Sequence, residues 1–283
     1  MHVARIVLIA LLAVSTSGVS AQVFWSVTDD EGRQNWLLGT VHSEDPRLLD
    51  FPGELIEALQ QSDRLALELV PDATMLERLQ QAMHFEDSGL DEVLEAELYD
   101  QVVRILDESY GMGEPAVRRL RPWAAAMTLS VPPPQTGLFM DLALSFRAGG
   151  MGLDVIALET LDEQLEFLKG MSHEAQLELI RTAVEEHENM PETFERLVSA
   201  YLAGDLDELE ALSQHQLEGV DEEVVRHFNE IGLNQRNHVM LGRALPHLEQ
   251  GGLVIAVGAL HLVGDEGLIR LLEEEGFELE GIY

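Results

Sequence analysis

Two histidines occupy the same short frame near opposite ends of the chain. His42 closes Gly39-Thr40-Val41-His42, and His261 closes Gly258-Ala259-Leu260-His261. Each frame follows an apolar run, Trp36-Leu37-Leu38 in the first case and Leu253 to Val257 in the second. Imidazole titrates near neutral pH and is a ready ligand for divalent metals, so such a pair suits proton transfer or metal binding. Two carboxylates share the setting: Glu68 lies within the apolar run Arg64 to Leu69, and Glu159 ends the run Leu153 to Leu158. A carboxylate placed inside an apolar run must be paired or functional, because unpaired burial is too costly. Together the four side chains form a donor set for Zn, Mn, Co or Fe(II) with a position left for water. Such an ion would lower the pKa of its water, and a carboxylate outside the coordination sphere could take the proton. Arg236, followed by Asn237, precedes the last apolar run and is placed to hold an oxyanion or orient a carboxylate. Singly, each residue has a plainer reading: a His past a Gly turn is a loop residue, and Glu68 is the partner of a core arginine.

The elements that must position these residues follow from apolar patterning. Short apolar runs bounded by Gly, Pro or Asp read as buried strands. Val23 to Val27 and Gln34 to Leu38 read as a hairpin around Asp29-Asp30-Glu31-Gly32. Further strands are expected at 64–69, 153–159, 253–257 and 277–282. All four candidate residues then fall at or just past a strand's carboxyl end, the edge along which open α/β sheets place their sites. Helices are expected at 52–62, 91–110, 122–129, 137–148, 161–168, 233–250 and 268–275, with Thr160 and Glu163 forming a capping box. Gly149 to Gly152 reads as a loop, and Val131-Pro132-Pro133-Pro134 as a rigid connector within the domain. The expected fold class is α/β: a central, mainly parallel sheet flanked by helices, with a large helical insertion at roughly 73–135 and a helical segment at 173–250.

Residues 1–21 read as a secretory signal: Arg5, an apolar core from Ile6 to Val14, and Val19-Ser20-Ala21 as the cleavage site. The remainder, 22–283, reads as one domain of a periplasmic or secreted protein with no membrane contact after signal cleavage. The chain has no cysteine, which excludes disulfides, a thiolate nucleophile and a thiolate metal site. Its formal net charge is −35, spread over almost every helix. That excess argues against nucleic acid as a partner. Signatures of zincins, serine hydrolases and P-loop enzymes are absent. The other histidines (His84, His173, His187, His215, His227, His238 and His247) lie in acidic helical text and read as surface residues. The oligomeric state stays open.

Several of these pieces together resemble the TraB/GumN family, related to the Tiki proteins and more distantly to erythromycin esterase and the haem-binding ChaN proteins. The matching pieces are Leu38 to His42 with Asp45-Pro46-Arg47; Leu67-Glu68-Leu69; Asp141; Leu158-Glu159-Thr160 with Gln164; Arg236-Asn237; and Val257 to Gly264 with Gly267-Leu268. The resemblance implies an EreA/ChaN-like α/β domain and, from the Tiki branch, a metal-dependent peptidase. It places His42, His261 and Glu68 on the metal, with Glu68 binding or activating it. Beside that, the residues themselves suggest Glu159 as a further ligand or general base and Arg236 with Asn237 as stabilisers of developing charge. Thr40, Asp141 and Gln164 would support them from behind by hydrogen bonds. The substrate would be a peptide or small molecule. Two alternatives stand beside it: a haem- or metal-binding protein without turnover, with the histidines as axial ligands, and a pseudoenzyme or interaction module whose polar cluster is a closed hydrogen-bonded network.

Overall fold

The structure is a computed structural model, and it describes residues 22–283. The expected signal segment lies outside the described residues. Six strands form one sheet: β1 (Phe24–Thr28), β2 (Gln34–Thr40), β3 (Arg64–Leu67), β4 (Asp154–Ala157), β5 (Leu253–Gly258) and β6 (Glu278–Gly281), in the spatial order β4-β3-β5-β2-β1-β6. Strands β4, β3, β5 and β2 run parallel. Strand β1 pairs antiparallel with both β2 and β6. The fold is α/β with a mainly parallel sheet, as the alternation of apolar runs and helical text implies.

β5 is central because it is apolar on both faces: Leu253 to Val257 are all buried, as a strand covered on both sides requires. Its start is fixed by buried Asn35 on β2. The Asn35 Nδ2 donates to the Leu248 carbonyl, at the end of the preceding helix, and its Oδ1 accepts the Leu253 N–H. Register then brings Thr40 opposite Gly258 and Leu67 opposite Ala256, so the chain leaves β2, β3 and β5 along one edge.

The buried apolar side chains fall into two clusters. One covers the sheet; the other, built around Tyr99, Val102, Leu106, Trp123, Leu129 and Ile180, is formed by helical segments away from it. Helices occupy Ala73–Met83, Ala96–Tyr110 and Pro122–Leu129, and again most of the stretch from His173 to Leu248. No helix among the described residues is long and apolar enough to cross a membrane. Three local expectations change, the first being that the helix expected at 91–110 divides into a 3-10 turn, Leu90–Glu92, and a helix, Ala96–Tyr110. The helix expected at 137–148 runs Met140–Met151 and takes in Gly149 and Gly150. Only Gly152 leaves it, at φ 90°, in the left-handed conformation that a helix-ending glycine supplies. The helix expected from 233 begins earlier, as a π-helical stretch Phe228–Gln235 that continues into the α-helix Arg236–Leu248.

Candidate functional site

The carboxyl edge of the sheet carries two polar groupings. The larger is centred on Arg236. Glu68 follows β3 directly, and Glu159 lies two residues past β4; because those strands are neighbours, the Glu159 N–H bonds the Glu68 carbonyl at 2.9 Å and continues their ladder. Arg236 reaches both carboxylates. Its Nε donates to Glu159 Oε1 at 2.8 Å, and its Nη2 donates to Glu159 Oε2 and to Glu68 Oε2, both at 2.6 Å. Its Nη1 donates to the Gly232 carbonyl at 3.2 Å, one turn back in the π-helix. The guanidinium fork is thus committed to orienting carboxylates, the second of the two roles open to it from sequence.

Gln164 closes this grouping. The capping box forms as expected: Thr160 Oγ1 accepts the Glu163 N–H, and Glu163 Oε2 accepts the Thr160 N–H. Arg243 holds Glu163 from outside and draws its carboxyl down to about 2, with help from the Thr160 bonds and against partial burial. A helix anchored in this way places Gln164 in its first turn, where Nε2 donates to Glu68 Oε2 and Glu159 Oε2, both at 3.2 Å.

His261 stands beside this network, 4% exposed, in the short 3-10 turn Ala259–His261 after β5. Asn237 Nδ2 donates to the Glu266 carbonyl at 2.7 Å, which fixes the amide so that its oxygen faces the ring; Asn237 Oδ1 lies 2.6 Å from His261 Nδ1. A carbonyl oxygen can only accept, so Nδ1 carries the hydrogen and Nε2 keeps its lone pair in the neutral ring. That lone pair faces Glu68 Oε1 at 3.8 Å, beyond hydrogen-bond reach. Burial pushes the His261 pKa below 6.5; Glu68 opposes the shift, and the Arg236 charge adds to it. Burial alone would raise the Glu68 carboxyl, but the charges of protonated His261 and of Arg236, with the Gly258 N–H bond at 2.7 Å, outweigh it and hold Glu68 below 4.5.

The second grouping surrounds His42. Its ring is exposed, stacks on Phe139 at 4.1 Å between centroids, and has Nδ1 3.8 Å from Asp141 Oδ2. Thr40 Oγ1 donates to Asp141 Oδ1 at 2.6 Å. Two residues on, the Glu44 carboxylate accepts the N–H groups of Gln135, Thr136 and Gly137 and the Thr136 hydroxyl. That clamp fixes the segment leading to Phe139 against the end of β2. Neither Glu44 nor Phe139 carries a signal in the sequence, because each acts through a loop contact spanning some ninety residues.

Both motif glycines answer to close packing. A Cβ on Gly39 would meet Ala259 Cα at 3.0 Å and Leu262 at 3.2 Å; one on Gly258 would lie 3.3 Å from Glu68 Oε1. Gly232 is a third such position: a Cβ there would sit 2.7 Å from the Phe167 ring. The same ring stacks on His227, whose Nε2 bonds the Phe167 carbonyl at 2.7 Å. His227, read from sequence as a surface residue, is therefore half-buried and structural, because Phe167 fills the space beneath the π-helix.

With this geometry in hand, a family model described as TraB/PrgY/gumN matches residues 23–281. The chain belongs to that family. No curated protein and no solved structure matches the chain. The TraB/PrgY/gumN match runs from the start of β1 to the end of β6 and takes in every residue of both groupings.

The divalent ion implied by the Tiki resemblance meets only part of the donor set it needs. His261 Nε2 and Glu68 Oε1 face each other, but the described residues contain no group of three or more His, Asp or Glu side chains placed to hold a metal ion. His42, the expected further ligand, is engaged with Phe139 and Asp141. Glu159 is held by Arg236 and Gln164. A divalent metal ion does not fit the side chains in this arrangement.

Proposed function

We propose that the protein is an exported hydrolase acting on peptides, with His261 as the base that activates water. The observation that carries this reading is the orientation of the His261 ring, with Nδ1–H committed to Asn237 and a bare Nε2 turned toward Glu68. A ring whose pKa lies below 6.5 is neutral at physiological pH and accepts a proton. In the reaction, water gives its proton to His261 Nε2 as its oxygen attacks the scissile carbonyl. Glu68 balances the imidazolium that forms, and the proton then passes to the leaving amine. Arg236 and Gln164 hold Glu68 and Glu159 in place, and Asn237 sets the tautomer. His42, just past the end of β2, and Asp141, in the first turn of the helix Met140–Met151, lie together beside that strand end and are proposed to contact substrate.

The test is turnover of a mixed peptide substrate by the purified protein, with chelator and with added Mn, Co or Zn. Turnover that survives chelation and vanishes in His261→Gln supports the proposal. Turnover unaffected by His261→Gln sinks it. A strict need for one bound ion per chain would instead favour a metal-dependent reaction with His42, His261 and Glu68 as ligands, which requires His42 to leave its stack on Phe139. A second reading, a non-catalytic module, draws on the closure of the Arg236 network; absence of turnover under every condition would favour it.

A further inference from the structure

A cleft of about 550 Å³ lies beside the 3-10 turn that carries His261, between residues 210–218, the π-helical stretch and residues 260–266. Leu217, Phe228, Leu233 and Leu260 give it an apolar lining, all of them half-buried. Four carboxylates, Glu210, Glu218, Asp265 and Glu266, stand around it, and among the described residues no Lys or Arg lines it. Glu218 and Glu266 have imidazole partners, His215 at 3.1 Å and His238 at 3.0 Å. No ion-pair partner meets Glu210 or Asp265 among the described residues; Glu210 contacts only the Gln214 amide.

We propose that this cleft binds a peptide segment in which a lysine or arginine is flanked by apolar residues. The volume lies in the range of ligand sites, and apolar walls with a few placed polar groups are what such sites show. Half-buried Leu and Phe side chains take up the apolar flanks, while the two unpaired carboxylates take the cation. A net charge of −35 draws a cationic ligand toward the protein from a distance. The placement also matters. Leu260 precedes His261, and the Glu266 carbonyl holds the Asn237 amide that orients the ring. A peptide seated here runs past the turn on which His261 is carried. The inference concerns binding alone and stands whether or not the protein is a hydrolase.

Titration calorimetry on the intact protein tests it, with acetyl-Leu-Lys-Leu-Lys-Leu-amide as probe and the Glu-for-Lys and Gly-for-Leu peptides as controls. Only the first peptide is expected to bind. The double variant Glu210→Gln/Asp265→Asn should weaken it by about tenfold. The double variant Glu97→Gln/Asp100→Asn, which removes the same charge from the exposed face of a distant helix, should leave affinity unchanged. Equal weakening by both pairs would mean diffuse attraction to an acidic surface and would overturn the proposal. So would binding of the Gly-containing peptide with the same affinity, or no binding of the basic peptide at all.

Discussion

The two G-x-x-H segments are nearly identical as text and unlike as structure. His261 is buried, held at Nδ1 by an asparagine that is itself anchored to a backbone carbonyl, and neighboured by two carboxylates and an arginine. His42 is exposed, rests on a phenylalanine and has one carboxylate nearby. The difference comes from strand position. β5 lies between β3 and β2, so the turn after β5 has the partners of β3 and β4 on one side, whereas β2 looks toward the helix from Met140 and the loop before it. A repeated motif marks a repeated backbone need, close packing at glycine, and leaves each histidine to take its role from its neighbours.

Removing Arg236 should separate the two regions most sharply. Arg236→Met leaves Glu159 buried without its cation and is expected to cost about 3–5 kcal/mol in urea unfolding. Next, Asn237→Ala strands both the His261 Nδ1–H and the Glu266 carbonyl, an expected loss of about 1–3 kcal/mol. In the same assay Gly39→Ala should cost about 1–3 kcal/mol, because its Cβ meets backbone at Ala259 rather than a flexible side-chain end. Acid titration of stability gives a graded test. His261 titrates lower in the folded chain than in the unfolded one, so the unfolded chain takes up the proton first, and stability should begin to fall as pH drops through 6.5. Glu68 and Glu163 are held below 4.5 and should add further losses as pH falls below that value. His261→Gln should remove the first step, shrink the Glu68 part of the later loss because the imidazolium that helps hold that carboxyl low is gone, and spare the Glu163 part. The smallest effect belongs to His42→Ala, expected within about 0.5 kcal/mol of the parent, with any loss confined to activity. A stability cost at His42 as large as that at Asn237 would erase the contrast between the two regions.

Much of the fold was legible because buried parallel strands and capped helices leave strong local marks. The run Leu253 to Val257 could only be a covered strand, and Thr160 with Glu163 announced the helix that delivers Gln164. Placing Glu68 and Glu159 at strand ends was likewise within reach. Strand order was not, since the alternation of elements does not say which parallel strands are neighbours. For that reason the sequence could not tell that Glu68 and Glu159 share Arg236 while His42 sits with Asp141 and Phe139. The plainer reading of Glu68, partner of a core arginine, describes what the structure contains. The π-helical stretch had no mark beyond Gly232, whose reason lies in Phe167, far off in the chain. Asn237 was noted as a charge stabiliser, but both ends of its amide are used on backbone and imidazole.

The central place of β5 has a consequence for how the molecule comes into being. β3 and β2 do not pair with each other; each pairs with β5, which follows both of them in the chain with the long helical segments in between. Until residue 258 has emerged, both earlier strands present open edges, and the polar side chains at their ends have nothing to assemble around. Pairing across nearly two hundred residues of intervening chain is slow. The sheet must therefore wait for β5, and a chain interrupted ahead of Leu253 would carry two sticky edges and no site.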